Sequence, residues 1–165
     1  MKPLPGIETK KLKLFIDERG FFAEALRNDW SSFLKDDAIL QANLSMSYPG
    51  MIRAWHRHLR GQVDYFLVIK GAMKICAYDD RPDSPTKGML TEVYGSSDDY
   101  SLIRIPGYYW HGTKNISNDY SLTVYFTTHM YDYDNPDEER RPWNDPTIID
   151  PKTKSTYDWN SPPHK

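Results

Sequence analysis

Short runs in which apolar and polar side chains alternate recur along this chain, each closed by a turn residue. This period of two constrains the fold more than any other feature. Residues 65–69 are apolar and end at Lys70-Gly71. Across residues 72–78, Met73, Ile75 and Ala77 fall on one side and Lys74, Cys76 and Tyr78 on the other. Leu122, Val124 and Phe126 alternate in the same way with Thr123, Tyr125 and Thr127. Helical signals are few: Asn28 is placed to cap a short stretch in which Trp30, Phe33 and Leu34 share a face. Pro82, Pro85, Pro106, Pro136, Pro142 and Pro146 interrupt the rest. There is no repeat and no low-complexity linker. The expectation is a mainly β protein, a sandwich or barrel with a few short helices. A single domain over residues 1–165 is expected, with its core at about 15–131 and a proline-rich, charged tail at about 132–165 that wraps the barrel and frays at its end.

Charge and composition exclude several classes of partner. The formal net charge is −2 with no block of like charge, which gives no electrostatic footprint for nucleic acid or an anionic membrane. No apolar run approaches the ~18–20 residues of a membrane helix, and the first residues, MKPLPGIETKKLKLF, lack the apolar stretch of a signal peptide. Cys76 is the single cysteine, so no intrachain disulfide forms. A soluble cytoplasmic protein is expected. Aromatic residues make up 14% of the chain; rings with an apolar face and a polar tip suit a sugar or base pocket, although strands also favour them.

The densest chemistry lies in Gly50-Met51-Ile52-Arg53-Ala54-Trp55-His56-Arg57-His58. Residues two apart on a strand share a face, so His56 and His58 project together, while Arg53 needs a bend or bulge to join them. His111 follows the Pro106-Gly107 turn. One histidine is ordinarily a satisfied core or surface side chain; two on one strand face with a third after a tight turn point to a site.

Several segments, in order, resemble the dTDP-4-dehydrorhamnose 3,5-epimerase family of the cupin superfamily. They are DERGFFAE at 17–24, Gln41-Ala42-Asn43-Leu44-Ser45, the step from Arg53 to His56, DDRPDSPT at 79–86, Ile105-Pro106 through His111-Gly112, Tyr125-Phe126-Thr127-Thr128 and Trp143-Asn144-Asp145-Pro146. The resemblance implies a cupin-type jelly-roll β-barrel. It also implies cofactor-free epimerisation at C3 and/or C5 of a nucleotide-diphospho-4-keto-6-deoxy sugar, in deoxysugar biosynthesis for surface polysaccharide. His56 matches the base that removes the proton beside the ketone, and Tyr125 the acid that returns one from the opposite face. Arg19 and Arg53 match phosphate-binding arginines, and Glu24, Gln41 and Asn43 match nucleotide or sugar contacts. His111 matches a pocket histidine and Tyr131 a tyrosine that stacks near the base. A homodimer, with the N-terminal segment crossing to the partner, is implied as well.

The chain departs from that pattern at three points. His58 stands where the family has glutamine, Asp64 falls where the family has the lysine that stabilises the enolate, and the family's C-terminal aspartate beside the base has no counterpart. Lys70 or Arg60 could replace the lysine, and Asp64 or Asp79 could orient the base. The same departures suit a rival reading. His56 and His58, an oxygen ligand at Asp64 or Gln62, and His111, followed by Asn115, echo a metal-binding cupin, either an oxygenase or an isomerase. A ketoisomerase-like or non-catalytic sugar-nucleotide binder is the third alternative.

Overall fold

The computed structural model describes residues 3–161; the expected fraying at the end of the tail falls on residues 162–165, which with Met1 and Lys2 lie outside the described residues. The elements in chain order are β1 (Glu8–Lys11), β2 (Leu14–Asp17), β3 (Gly20–Ala23), α1 (Ser31–Leu34), β4 (Gln41–Ser47), β5 (Ile52–Arg57), β6 (Val63–Lys70), β7 (Ala72–Tyr78), β8 (Leu90–Ser96), β9 (Ser101–Pro106), β10 (Trp110–Asn115), β11 (Ser121–Thr127) and β12 (Glu139–Arg140). They form two five-stranded antiparallel sheets, ordered β1-β9-β6-β11-β4 and β12-β5-β10-β7-β8, with β2 and β3 as a separate hairpin. This is the expected mainly β, cupin-type sandwich. Its sheets start earlier and end later than residues 15–131, because β1 adds to one sheet and β12 to the other.

The alternation read from the sequence sorts side chains between three layers. Phe66, Val68, Ile103 and Ile105 of the first sheet meet Met73, Ile75 and Ala77 of the second, forming the core between the sheets. On the outside of the first sheet, Tyr65 and Leu67 pack under Phe33 and Leu34 of α1. Outside the second sheet, Cys76 and Tyr78 pack with Trp55 and Trp110 beneath Ile148, Tyr157 and Trp159 of the tail. Strand β7 is therefore buried on both faces, although its sequence alternates. The tail is a second cover, tied down by hydrogen bonds from Lys74 Nζ (2.9 Å) and Lys114 Nζ (3.1 Å) to the Trp159 carbonyl.

α1 is the one helix among the described residues, and Trp30 rather than Asn28 occupies its N-cap position, without a side-chain cap. A single turn needs little capping when Phe33 and Leu34 are buried against a sheet. At the β6–β7 turn Gly71 has φ +76°, which a side chain would strain.

Candidate active site

A cavity of about 640 Å³ opens between the sheets. Gln41, Asn43, Ser45, Asp64, Phe66, Thr123, Tyr125 and Thr127 line it from the first sheet, and Arg53 and His56 from the second. His58 and Gln62 come from the β5–β6 loop, and Tyr131, Tyr133, Glu138, Arg140 and Arg141 from the chain beyond β11. Period-two geometry explains the first-sheet wall: the parity that sends Phe126 outward sends Thr123, Tyr125 and Thr127 inward.

The second-sheet wall rests on a bulge. His111 pairs with His56, but Thr113 pairs with Arg53, so three steps along β5 oppose two along β10. The extra residue brings Arg53 and His56 to the same cavity, as their parity required. Gly112 permits it: a Cβ there would overlap the Ala54 Cβ and lie 2.8 Å from the Ala54 Cα. Arg53 is then braced by Nε to Ser47 Oγ (3.2 Å) and a terminal N–H to the Met46 carbonyl (3.0 Å).

Three histidines and one aspartate meet at the cavity floor. The rings of His56 and His111 are 4.2 Å apart, and His58 is 5.8 Å and 5.7 Å from them. Asp64 arrives from the facing sheet, with Oδ2 3.1 Å from His111 Nε2 and Oδ1 accepting from Gln62 Nε2 at 2.7 Å. His111 is fully buried and donates Nδ1–H to the Tyr109 carbonyl at 2.8 Å. His58 donates Nδ1–H to the Asp137 carbonyl at 2.5 Å. The Asp137 carboxylate also accepts from the Leu59 and Arg60 amides, and Gly107 exchanges backbone bonds with His58 and Gln62, so the loop carrying His58 is fixed from both sides.

Burial, reinforced by His111, lowers the His56 pKa well below the usual imidazole value. Burial opposes ionisation of Asp64, but the His111 hydrogen bond and the three nearby imidazoles outweigh it and hold the carboxyl below the usual range. Burial, helped by Asp64 and Glu138, raises the Tyr125 hydroxyl pKa, so that group keeps its proton. Tyr125 stacks on Phe66 with ring centroids 5.8 Å apart.

Some expected residues are elsewhere. Arg19 is on the β2–β3 hairpin, exposed and paired with Asp17 at 2.5 Å; Glu24 pairs with Arg27, and neither lines the cavity of its own chain. Neither expected substitute for the lysine reaches the site: Lys70 pairs with Asp119 at 2.8 Å, and Arg60 bonds the carbonyls of Asn135 and Pro136. Asp64 bonds His111 and Gln62 rather than His56, and Asp79 holds Arg81, Ser84 and Thr86, so neither carboxylate orients the base by direct contact. Asn115 bonds the carbonyls of Ser47 and Asp119 and shapes the β10–β11 turn. Gln41 bonds Asn43 and receives the Tyr131 amide.

Sequence reasoning missed the tail's contribution. Strand β12 pairs with the edge of β5, placing Arg140 opposite His56, and Arg141 bonds Asp80 at 2.7 Å while lying over Trp110. Gln62, expected as an alternative oxygen ligand, instead turns its amide N–H groups to Asp64 and His58. Thr123 Oγ1 is buried at the cavity wall with no hydrogen-bond partner among the described residues. No local pattern marks these residues; their roles arise from long-range pairing.

The model of the dTDP-4-dehydrorhamnose 3,5-epimerase family matches residues 1–160. The chain belongs to this family. It is 42% identical over 164 residues to the probable low-salt glycan biosynthesis epimerase Agl13 of Haloferax volcanii, covering 99% of each chain. It is 37% identical to the spore coat polysaccharide biosynthesis protein SpsL of Bacillus subtilis, covering 96% of this chain and 97% of that one. Among solved structures of the epimerase family, that of RmlC from Legionella pneumophila in complex with dTDP-4-keto-L-rhamnose superposes with a TM-score of 0.80 at 27% identity, covering 89% of this chain and 78% of that one. No helix of the described residues is long and apolar enough to cross a membrane.

Proposed function

We propose that this epimerase-family chain inverts C3, C5 or both of a dTDP-linked 4-keto-6-deoxy sugar. The observation that carries this reading is that His56 and Tyr125 reach one cavity from opposite sheets, a neutral base facing a protonated acid across the space for a sugar ring. His56 takes the proton from the carbon beside the ketone, and the C–H electron pair moves to the ketone oxygen as an enolate. Tyr125 delivers a proton to the other face of the same carbon, restoring the ketone with the centre inverted. Imidazolium and phenolate then exchange protons with solvent.

The cavity volume suits a bound small molecule. Arg53, Arg140 and Arg141 at its wall supply planar donor forks for the diphosphate. Gln41, Asn43 and Thr123 offer polar contacts to sugar or base, and Tyr131, in edge contact with Tyr133 at 5.0 Å, offers a stacking face. A cytoplasmic homodimer is part of the reading. The β2–β3 hairpin stands apart from both sheets with Phe15, Ile16, Phe21 and Phe22 exposed, which suits docking on a second copy that brings Arg19 and Glu24 toward the partner's cavity. The names of the Haloferax and Bacillus relatives support a product used in surface glycans.

The test is proton exchange. The protein is incubated in heavy water with dTDP-4-keto-6-deoxyglucose, and C3 and C5 are followed by NMR. Exchange at both carbons gives the double epimerase and exchange at one gives a mono-epimerase. Exchange at neither, with dTDP and other nucleotide forms of the sugar, defeats the reading and leaves a binding protein.

A further inference from the structure

We propose that His58, Asp64 and His111 bind a divalent first-row transition metal at the cavity floor, beside the base His56. The inference rests on the epimerase reading for the metal's chemical role but not for its binding. His56, His58, Asp64 and His111 each offer a ligand atom, and these four atoms lie within 4.8 Å of one another. Two of the three proposed ligands are aimed by their other ring nitrogen. A carbonyl can only accept, so the bonds to the Tyr109 and Asp137 carbonyls place the protons of His111 and His58 on Nδ1. Each Nε2 is then the lone-pair atom, and both face Asp64 Oδ2, at 3.1 Å and 3.7 Å. Metal-bound histidines are held in this way, with the distal N–H on a backbone carbonyl or carboxylate.

The 3.1 Å contact between His111 Nε2 and Asp64 Oδ2 has room for either a proton on the nitrogen or a cation held by both atoms. With Nδ1–H engaged, a neutral His111 would direct a lone pair at a carboxylate oxygen, and Asp64 is 2% exposed, with no water shell to relieve the repulsion. A second proton on His111 or a cation resolves it. His58 Nε2, 3.7 Å from the same oxygen, gives a cation there a further ligand atom that a proton would not use. Bonds of about 2.0–2.2 Å from a metal to nitrogen and oxygen put neighbouring ligands roughly 3 Å apart, close to the observed separations. Gln62 remains on Asp64 Oδ1 at 2.7 Å, and the metal replaces only its longer, 3.2 Å contact with His58.

Two histidines and one carboxylate leave coordination positions open. Asp64 and His58 line the cavity while His111 lies behind them, so the open positions face the substrate. The side chain at 64 is an anion, and neither Lys70 nor Arg60 reaches the site. A metal there would hold the ketone oxygen as its charge grows, without any change of redox state. His56 has no hydrogen bond fixing its ring among the described residues and stays free to take the proton.

The experiment measures binding and chemistry separately. The chelator-stripped protein is titrated with Co²⁺, Zn²⁺, Mn²⁺, Fe²⁺ and Ni²⁺, with metal content read by mass spectrometry and Co²⁺ by its visible bands. One equivalent per chain is expected, with affinity reduced tenfold or more in Asp64→Asn and in His58→Gln, both checked for an unchanged melting curve. No stoichiometric metal in folded wild-type protein overturns the site and leaves His111 bonded directly to Asp64. Deuterium exchange from the sugar is then compared in stripped and loaded protein. Equal exchange overturns the metal's chemical role while the epimerase reading stands. Metal binding with no exchange in either form upholds the site and defeats the epimerase reading instead.

Discussion

His56 and His111 lie directly opposite each other on β5 and β10, with their ring centroids 4.2 Å apart. Two imidazoles so close and so buried disfavour a positive charge on His56, which Asp64 only partly offsets. Burial lowers the His56 pKa most, then His111; His58 and Arg140 act in the same direction. The base form therefore persists below pH 6.5, the ordinary imidazole value. The acid limb of kcat/KM for deuterium exchange is expected below pH 6.5. Stability follows the same sign: the unfolded chain takes up a proton that folded His56 refuses, so stability falls as pH drops through about 6.5. An acid limb at or above 6.5 would remove His56 from the role of base.

The two partners across the cavity should fail differently. His56→Ala is expected to lower exchange by on the order of 10²–10⁴-fold. Tyr125→Phe keeps the ring that stacks on Phe66 and removes only the hydroxyl, so proton removal continues while inversion is lost. NMR in heavy water separates the outcomes: Tyr125→Phe should wash deuterium into substrate of unchanged configuration. Full inversion by Tyr125→Phe would show that the proton returns from another group.

The sequence disclosed the site's floor more readily than its rim, for a physical reason. His56 and His58 share a face by strand parity, a local property, and the need for a bulge at Arg53 follows from the same parity. Alternation in β7 could say that Met73, Ile75 and Ala77 oppose Cys76 and Tyr78, but not that both sides are buried, because the second cover is the distant Tyr157 and Trp159. Arg140 was invisible because its position depends on a two-residue strand added at the edge of β5. Arg19 and Glu24 were legible only through a family motif, and the motif does not bring them to this chain's own cavity.

The bulge that delivers Arg53 and His56 depends on a missing side chain. Gly112→Ala would drive a methyl group into the Ala54 backbone, 2.8 Å from its Cα. The backbone of β5 must then move, at an expected cost of about 1–3 kcal/mol. Because the displaced segment carries both residues, kcat for exchange should fall together with the melting temperature. A variant with wild-type stability and activity would show that the bulge is not held by this close approach.

The tail acts on the site from outside the sheet. Trp159 is 1% exposed, packs on Trp55 with centroids 4.7 Å apart, and donates its indole N–H to the Trp143 carbonyl at 3.1 Å. Trp55 sits inside the β5 bulge, bonds the same carbonyl through its own indole at 3.2 Å, and exchanges backbone bonds with Arg141. Trp159→Ala leaves a cavity beneath that network and is expected to cost about 3–5 kcal/mol. Arg140, which immediately precedes Arg141, pairs opposite His56, so loosening the strand should raise KM for the sugar nucleotide before it lowers kcat. Denaturant unfolding measures the first effect and steady-state kinetics the second. A loss of stability with KM unchanged would mean that β12 holds its register without the tryptophan cover.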